Sequence, residues 1–138
     1  KIAAGGRRKL LYVEDDESNL RLLEAVISHI PNLTLLAAPD AENGIRMARE
    51  SRPDVIVMDI NLPGMSGFDA IEKLKHQTET QAIPVIALSA AAMSKDIQKG
   101  AEAGFFAYLT KPFVIDELLS TIDRALAEAA DVPGAAAQ

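Results

Sequence analysis

Polar side chains that could do chemistry follow four short apolar runs of the sequence, one group after each run. In chain order these groups are Glu14-Asp15-Asp16, Asp59, Ser89 and Thr110-Lys111. In an open parallel sheet, the ligand-binding crevice lies outside the carboxyl ends of the strands. If the four runs are neighbouring parallel strands, we expect carboxylates, a hydroxyl and an ammonium to converge at one edge of the sheet.

The chemistry that suits this set is phosphoryl transfer assisted by a hard metal ion. Clustered carboxylates repel one another, and a bound cation makes such a cluster tolerable. Oxygen ligands without His or Cys favour Mg²⁺. A Lys and a hydroxyl can stabilise charge on phosphoryl oxygens, and an Asp can act as the nucleophile. Each residue alone is more often a turn former or a helix cap, so the interpretation depends on the four groups occurring together.

The composition indicates one acidic globular domain. The chain has 138 residues, of which 49% are hydrophobic and 25% charged, and its net charge is −6. These values exclude a disordered tail, a collagen-like fibre and a coiled coil, and the acidity argues against nucleic acid as a direct partner. The sequence contains no Cys, which excludes a disulfide framework and a zinc–thiolate site. No segment has the ~20 apolar residues that a membrane span needs, and we expect a cytoplasmic location.

The two ends of the sequence differ in composition from the middle. Residues 1–8 combine two glycines with basic residues and are interpreted as a linker or a cloning remnant. The predicted domain covers residues 9–131. Residues 132–138 are interpreted as a flexible tail, because Pro133 and Gly134 stop the last helix ahead of a low-complexity end.

Short apolar runs alternate with segments of helical periodicity. The runs begin at Leu10, Leu33, Val55, Val85 and Phe105, and runs of this length with no polar face suit a sheet that is covered on both sides. The helical stripes between them are Leu22-Leu23-Val26-Ile27-Ile30, Ala41-Ile45-Ala48, Phe68-Ile71-Leu74, Met93-Ile97-Ala101 and Ile115-Leu118-Leu119-Ile122-Leu126. Five strands and five helices in strict alternation predict an α/β fold with a parallel sheet and helices on both faces.

Other chemistry-bearing features receive a structural interpretation. Asp40 and Ser66 are expected to cap the second and third helices. His29 and His76 lie near the ends of predicted helices, where the dipole favours them, and we expect both to be solvated and not to act as bases. The sequence has neither a G-x-G-x-x-G nor a Walker-type motif, so a nucleotide cofactor is not expected.

Four motifs together resemble the receiver domain of two-component response regulators. They are Tyr12–Asp16 (YVEDD), Val57–Gly67 (VMDINLPGMSG), Ile83–Ala90 (IPVIALSA) and Ala103–Phe113 (AGFFAYLTKPF). The resemblance covers residues 9–127, nearly the whole predicted domain. It implies a flavodoxin-like doubly wound (βα)5 fold, whose five-stranded parallel sheet has the order 2-1-3-4-5.

The resemblance gives the acidic residues their roles. Asp59 resembles the phospho-acceptor, and Glu14 and Asp15 resemble the acidic pair that binds Mg²⁺ together with Asp59. Asn61 would add its backbone carbonyl to that metal site. Glu14 stands where the family more often has Asp, and we expect its longer side chain to reach the ion through water. Asp16 is interpreted as a helix cap and not as a ligand.

The remaining motif residues resemble the parts that respond to a phosphoryl group. Ser89 resembles the switch hydroxyl, and Lys111 resembles the ammonium that pairs with the phosphoryl oxygens. Tyr108 resembles the aromatic switch, with an ordinary edge aromatic as the alternative. Pro112 resembles the proline of a cis Lys–Pro bond. Because cis is a minority state for any X–Pro bond, that expectation comes from the resemblance alone.

The function that the resemblance implies is a switch set by phosphorylation. Asp59 would take a phosphoryl group from a phosphohistidine on a histidine kinase or a histidine phosphotransfer domain, with Mg²⁺ as the cofactor. The face made by the fourth helix, fifth strand and fifth helix would then change shape and be read by a downstream protein. Self-phosphorylation and slow autodephosphorylation are the only reactions expected, so the domain is not a conventional enzyme.

Three alternatives remain open from the sequence. The chain could be the C-terminal receiver of a hybrid sensor histidine kinase instead of a stand-alone regulator. A Mg²⁺-dependent phosphatase of the haloacid dehalogenase type uses similar residues, but its nucleophile follows the first strand in an Asp-x-Asp pattern that residues 14–16 lack. A pseudo-receiver that acts only by binding is disfavoured by the joint presence of Asp59, Ser89 and Lys111.

Overall fold

The structure is a computed structural model that describes residues 7–62, 64–90, 93–112 and 114–131. The predicted tail over 132–138, and residues 1–6 of the predicted linker, lie outside the described residues. The strands are β1 (Arg8–Val13), β2 (Leu33–Ala38), β3 (Val55–Asp59), β4 (Val85–Ser89) and β5 (Ala107–Thr110). The helices are α1 (Glu17–Ile27), α2 (Ala41–Ser51), α3 (Gly67–Lys75), α4 (Ser94–Ala103) and α5 (Ile115–Asp131).

The five strands form one parallel sheet in the order β2-β1-β3-β4-β5. The prediction of a doubly wound α/β fold with this strand order is therefore confirmed. From β1 the chain first adds β2 on one side, then crosses to β3 and adds β4 and β5 on the other side. With right-handed crossovers, this change of direction places helices on both faces of the sheet.

The sheet is covered on both faces, as the unbroken apolar runs predicted. Alternate residues of each strand point to opposite sides, so Leu11 and Val13 join the core under α2 and α3, whereas Leu10 and Tyr12 join the core under α1 and α5. No helix in the described part of the chain is both long enough and apolar enough to span a membrane.

Side-chain caps fix where several helices begin. Asp40 accepts a hydrogen bond from the backbone N–H of Asn43 at the start of α2, and Ser66 accepts one from the N–H of Asp69 at the start of α3. Both caps were predicted. Because a capped helix begins directly after a strand-to-helix loop, these caps hold the loops at the carboxyl edge of the sheet.

Three details differ from the sequence-based expectations. Leu22 is 47% exposed, so its predicted place on the buried stripe is wrong; neighbouring helical residues point about 100° apart, and Leu23 takes the core position. The predicted apolar stripe of α4 does not lie in the core either, since Met93 is 65% and Ile97 46% exposed. The fifth strand begins at Ala107 and not at Phe105, because the Phe105 N–H bonds back to the carbonyl of Gly100 and completes the turn that ends α4.

Candidate functional site

The polar groups predicted to converge do lie at one edge of the sheet. β1, β3, β4 and β5 are neighbours in that order, and their registers pair Val13 with Met58 and Ser89 with Thr110. The residue that follows Val13 is Glu14, and the residue that follows Thr110 is Lys111. The strand ends therefore line up, and the sheet positions acidic and basic side chains side by side.

Three carboxylates form the centre of this edge. One oxygen from each of Glu14, Asp15 and Asp59 lies within 4.8 Å of the others. Glu14 and Asp59 are each only 3% exposed, whereas Asp15 is open to solvent. The site thus has two buried acids at its base and one exposed acid at its mouth.

Lys111 supplies the positive charge that opposes these acids. Its ammonium Nζ lies 2.7 Å from Oδ2 of Asp59 and 3.4 Å from Oε1 of Glu14. Burial alone disfavours the ammonium, but the hydrogen bond to Asp59 and the charges of Asp59 and Glu14 raise the pKa of Lys111 above its ordinary value. Lys111 is therefore firmly protonated and tied to the acidic cluster.

The backbone on both sides of Lys111 is fixed. Its N–H donates to the carbonyl of Ser89 at 2.8 Å, which extends the β4–β5 ladder by one residue. The peptide bond between Lys111 and Pro112 is cis. Ser89 is the last residue of β4 and is buried.

The two oxygens of Asp59 are held from different loops. Oδ1 accepts the backbone N–H of Asn61 at 3.0 Å, and Oδ2 accepts the ammonium of Lys111. The N–H contact brings the loop after β3 close to the acidic cluster. An Asp carboxylate oriented on both oxygens is preorganised for attack on an electrophile that enters from the open side.

Glu14 carries an electrostatic cost, because its carboxyl group is buried next to a second carboxylate. Burial raises its pKa above the usual value, and the neighbouring charge of Asp59 raises it further. Lys111 and a hydrogen bond from Tyr12 act in the opposite direction. A cation bound at this cluster would offset the same repulsion.

Tyr12 belongs to the site although sequence reasoning missed it. The residue is fully buried in β1, and its hydroxyl donates to Oε1 of Glu14 at 3.0 Å. Burial, followed by the charge of Glu14, raises the pKa of Tyr12, so the phenol remains a neutral donor. The available signal was the period of two: residue 14 directly follows β1, and extended backbone places residues 12 and 14 on the same side of the sheet.

The other predicted residues fall into two groups. Asp16 caps α1, as predicted, because its Oδ1 accepts the backbone N–H groups of Ser18 and Asn19. His29 follows α1 and His76 is the residue after α3. The ends of these helices lie at the edge of the sheet opposite to the strand carboxyl ends, and both imidazoles are exposed. The structure therefore gives neither histidine a place in the acidic cluster.

Tyr108 lies on β5, and β4 separates that strand from β3, which ends at Asp59. Its side chain is partly buried, and its ring packs against the backbone of α4 at Gly100. A Cβ atom added to Gly100 would come within 2.5 Å of Cδ2 of the Tyr108 ring. The ring thus occupies a space that exists because residue 100 has no side chain.

The sequence matches the family model described as "Response regulator receiver domain" over residues 10–123. It is 36% identical over 119 residues to protein PilH of Pseudomonas aeruginosa, which covers 86% of this chain and 98% of PilH. It is also 36% identical over 122 residues to the polar-differentiation response regulator DivK of Brucella anthropi, covering 88% of this chain and 98% of DivK.

Solved structures agree with the sequence matches. The chemotaxis response regulator CheY4 of Vibrio cholerae superposes with a TM-score of 0.80 at 28% identity, over 87% of this chain and 99% of that one. The receiver domain of the sensor histidine kinase PA1611 from P. aeruginosa gives a TM-score of 0.79 at 30% identity, over 88% and 99%. That second structure holds a magnesium ion coordinated in its active-site cleft.

Proposed function

This chain belongs to the response regulator receiver domain family of two-component signalling, and on that premise we propose that it accepts a phosphoryl group on Asp59. The observation that supports this choice is the double anchoring of the Asp59 carboxylate by Asn61 and Lys111. Membership of this family argues against the haloacid dehalogenase interpretation. The chain covers 98% of the lengths of its relatives PilH and DivK.

The metal that this site would take is Mg²⁺. Glu14, Asp15 and Asp59 offer oxygen atoms within 4.8 Å of one another, with the backbone carbonyl of Asn61 as a further oxygen ligand. An all-oxygen donor set favours a hard cation over a transition metal. The ion, when bound, would neutralise charge on the transferring phosphoryl oxygens.

The residues of the chain would carry out the transfer around that ion. An oxygen of Asp59 attacks the phosphorus of a phosphohistidine, a P–O bond forms, and the P–N bond to the imidazole breaks. The imidazole keeps the electron pair of that bond and leaves as the neutral base once it is protonated. Lys111, which already lies 2.7 Å from Oδ2 of Asp59, then pairs with the new phosphoryl oxygens. The resulting acyl phosphate is expected to hydrolyse slowly.

The phosphoryl group would act on the rest of the domain through β4 and β5. Ser89 at the end of β4 is the hydroxyl that would hydrogen-bond to it, and Lys111 is the ammonium that would be drawn towards it. Both lie in the ladder that carries Tyr108. A shift of this ladder and of the Tyr108 ring would change the face of α4, β5 and α5 that a downstream protein reads.

A small groove beside Lys111 is a suitable docking place for the phosphodonor. It has a volume of about 280 Å³ and is lined by Asn19, Leu22, Lys111 and Pro112. Leu22 is an exposed apolar side chain of α1, and such a residue in a groove beside Lys111 suits contact with a helical partner. We therefore assign the phosphodonor, a histidine kinase or a histidine phosphotransfer protein of the cytoplasm, to this side of the domain.

The test is phosphoryl labelling of the purified protein with radioactive acetyl phosphate, and separately with a phosphorylated histidine phosphotransfer domain. We expect label in the presence of Mg²⁺, at no more than one phosphoryl group per chain, and its complete loss in Asp59→Asn. The matched control is Asp69→Asn, which changes an exposed Asp of α3 in the same way and should label normally.

The outcomes separate the alternatives. Label that survives in Asp59→Asn would place the acceptor elsewhere. Steady release of phosphate from phosphomonoesters would favour a phosphatase. If neither donor labels the wild-type protein, and beryllofluoride with Mg²⁺ leaves its spectrum unchanged, the domain acts only by binding.

A further inference from the structure

Tyr12 carries a polar hydroxyl but is buried in β1 between the aliphatic residues Leu11 and Val13. It is 0% exposed and packs in the core between the sheet and helices α1 and α5. Its ring is surrounded by close-packed side chains, so its hydroxyl has one fixed direction. That direction is towards the site, where the hydroxyl lies 3.0 Å from Oε1 of Glu14.

The carboxylate of Glu14 receives donors from several directions. Tyr12, Asn19 and Lys111 approach Oε1 at 3.0, 3.5 and 3.4 Å, and the backbone N–H of Asp16 approaches Oε2 at 3.2 Å. Asp16 is the exposed N-cap of α1 and Asn19 lies partly buried in its first turn, and Lys111 is shared with Asp59. Tyr12 is thus the donor that comes from the rigid core.

The length of the Glu14 side chain fits this contact. Glu has one methylene more than Asp, and that methylene lets the carboxylate of Glu14, just after β1, reach back to the hydroxyl of Tyr12 in that strand. A carboxylate shortened by one C–C bond of about 1.5 Å would leave hydrogen-bond distance of the Tyr12 oxygen. Residues 12 and 14 therefore work as a pair.

We propose that Tyr12 is a positioning residue of the phosphorylation site: its hydroxyl fixes the Glu14 carboxylate at the acidic cluster and thereby sets the affinity for Mg²⁺. This inference rests on the proposed function of the site. Partners that orient metal-binding carboxylates typically change metal affinity by 10- to 100-fold when they are removed. Tyr12 would be such a partner, whether Glu14 contacts the ion directly or through water.

The first experiment is Mg²⁺ binding measured by calorimetry on Tyr12→Phe, which keeps the ring and removes only the hydroxyl. We expect a dissociation constant roughly tenfold weaker than wild type. In a Glu14→Asp background, the same substitution should change the constant less than about twofold, because the shorter carboxylate has already lost the contact. The control is Thr121→Val, which removes a buried hydroxyl that bonds within α5, and it should leave Mg²⁺ binding unchanged.

A second measurement does not depend on how Tyr12→Phe folds. The chain has two Tyr and no Trp, so in Tyr108→Phe the ultraviolet absorbance and fluorescence report Tyr12 alone. We expect Mg²⁺ to change the Tyr12 signal and to do so with the dissociation constant found by calorimetry for that variant. The change should disappear when Glu14→Asp is added.

The results that overturn the inference differ from those that overturn the proposed function. Wild-type affinity in Tyr12→Phe, an equal loss in the Glu14→Asp background, or a silent Tyr12 spectrum would each show that Tyr12 only fills space. In those cases Asp59 would still be labelled, and the proposed function would stand. If the wild-type protein bound no Mg²⁺ and took no label, the proposed function would fail, and this inference with it.

Discussion

Helices α3 and α4 flank the same half of the sheet but are held to it very differently. α3 buries Gly67, Ala70, Ile71 and Leu74 over nine residues, and the side chain of Ser66 caps it. Among the residues of α4 whose burial is described, only Gly100, which has no side chain, is buried. Its exposed residues combine charged side chains with the apolar Ile97 and Ala101, so little buried apolar area anchors the helix to the sheet.

The contrast separates a fixed part of the molecule from a movable one. A helix with few buried apolar contacts opens at a lower free energy than one locked into the core. α3 follows the loop that begins after Asp59 and carries Asn61, and its firm packing keeps that loop in place. α4 follows the strand that ends at Ser89, and its light packing leaves it free to respond to changes there.

The largest expected effect is a difference in the free energy of unfolding between two variants, each of which shortens one isoleucine, in α3 or in α4. Ile71→Ala in α3 deletes a fully buried side chain and should lower the free energy of unfolding by about 2–5 kcal/mol. Ile97→Ala in α4 changes a side chain that is half exposed and should cost no more than about 0.5 kcal/mol. Urea denaturation of the two variants measures both values, and similar losses in the two would refute the contrast.

The buried carboxyl group of Glu14 makes the stability of the folded protein depend on pH. Because the folded-state pKa of Glu14 lies above the ordinary value of 4.5, the folded protein binds more protons than the unfolded chain between these two values. Its free energy of unfolding should therefore fall as the pH rises through that window, at most by about 1.4 kcal/mol per pH unit.

Urea titrations at a series of pH values, with and without Mg²⁺, measure this dependence. Glu14→Gln, which cannot ionise, should flatten it, and Mg²⁺ should restore stability at neutral pH in the wild type. A Glu14→Gln variant with the full wild-type slope would assign the dependence to another group.

The smallest expected effect on stability concerns the space beside Gly100 that the ring of Tyr108 occupies. Gly100→Ala should gain up to about 1 kcal/mol of helix propensity, offset by the overlap of the new methyl with the Tyr108 ring, so the net change should stay within about 1 kcal/mol. The ring itself should move outward. In a Tyr12→Phe background, where Tyr108 is the sole tyrosine, we expect acrylamide to quench its fluorescence more strongly.

Ala101→Gly, at the exposed neighbouring position, is the control for propensity. It should lower stability without changing the quenching. If Gly100→Ala showed the full gain in stability and unchanged quenching, the ring would not depend on the missing side chain of residue 100.

Much of the fold was predictable because it depends on local signals. The alternation of runs and stripes predicts the parallel sheet, and the caps at Asp40 and Ser66 are short-range hydrogen bonds. The errors at Leu22 and Ile97 have a common cause: periodicity shows that residues share a side of a helix, but not whether that side meets the sheet.

The candidate site was predictable to a similar degree and for a similar reason. The strand-end positions of Asp59, Ser89 and Lys111 follow from the order of elements. The contact between Tyr12 and Glu14 does not, because it depends on the path of one flexible side chain. A buried tyrosine in a strand is usually explained by its ring, and its hydroxyl needs a partner that only three-dimensional structure identifies.

The light packing of α4 also has a consequence for how such a domain can diversify. Substitutions on Met93, Ile97 and their exposed neighbours are expected to change the surface of α4 at little cost in stability, because these side chains are about half exposed or more and none belongs to the core. Substitutions on α3 do not have that freedom. Gene duplicates could thus acquire new partners through α4 while inheriting the same reactive centre, and the same helix is the place to redirect signalling by design.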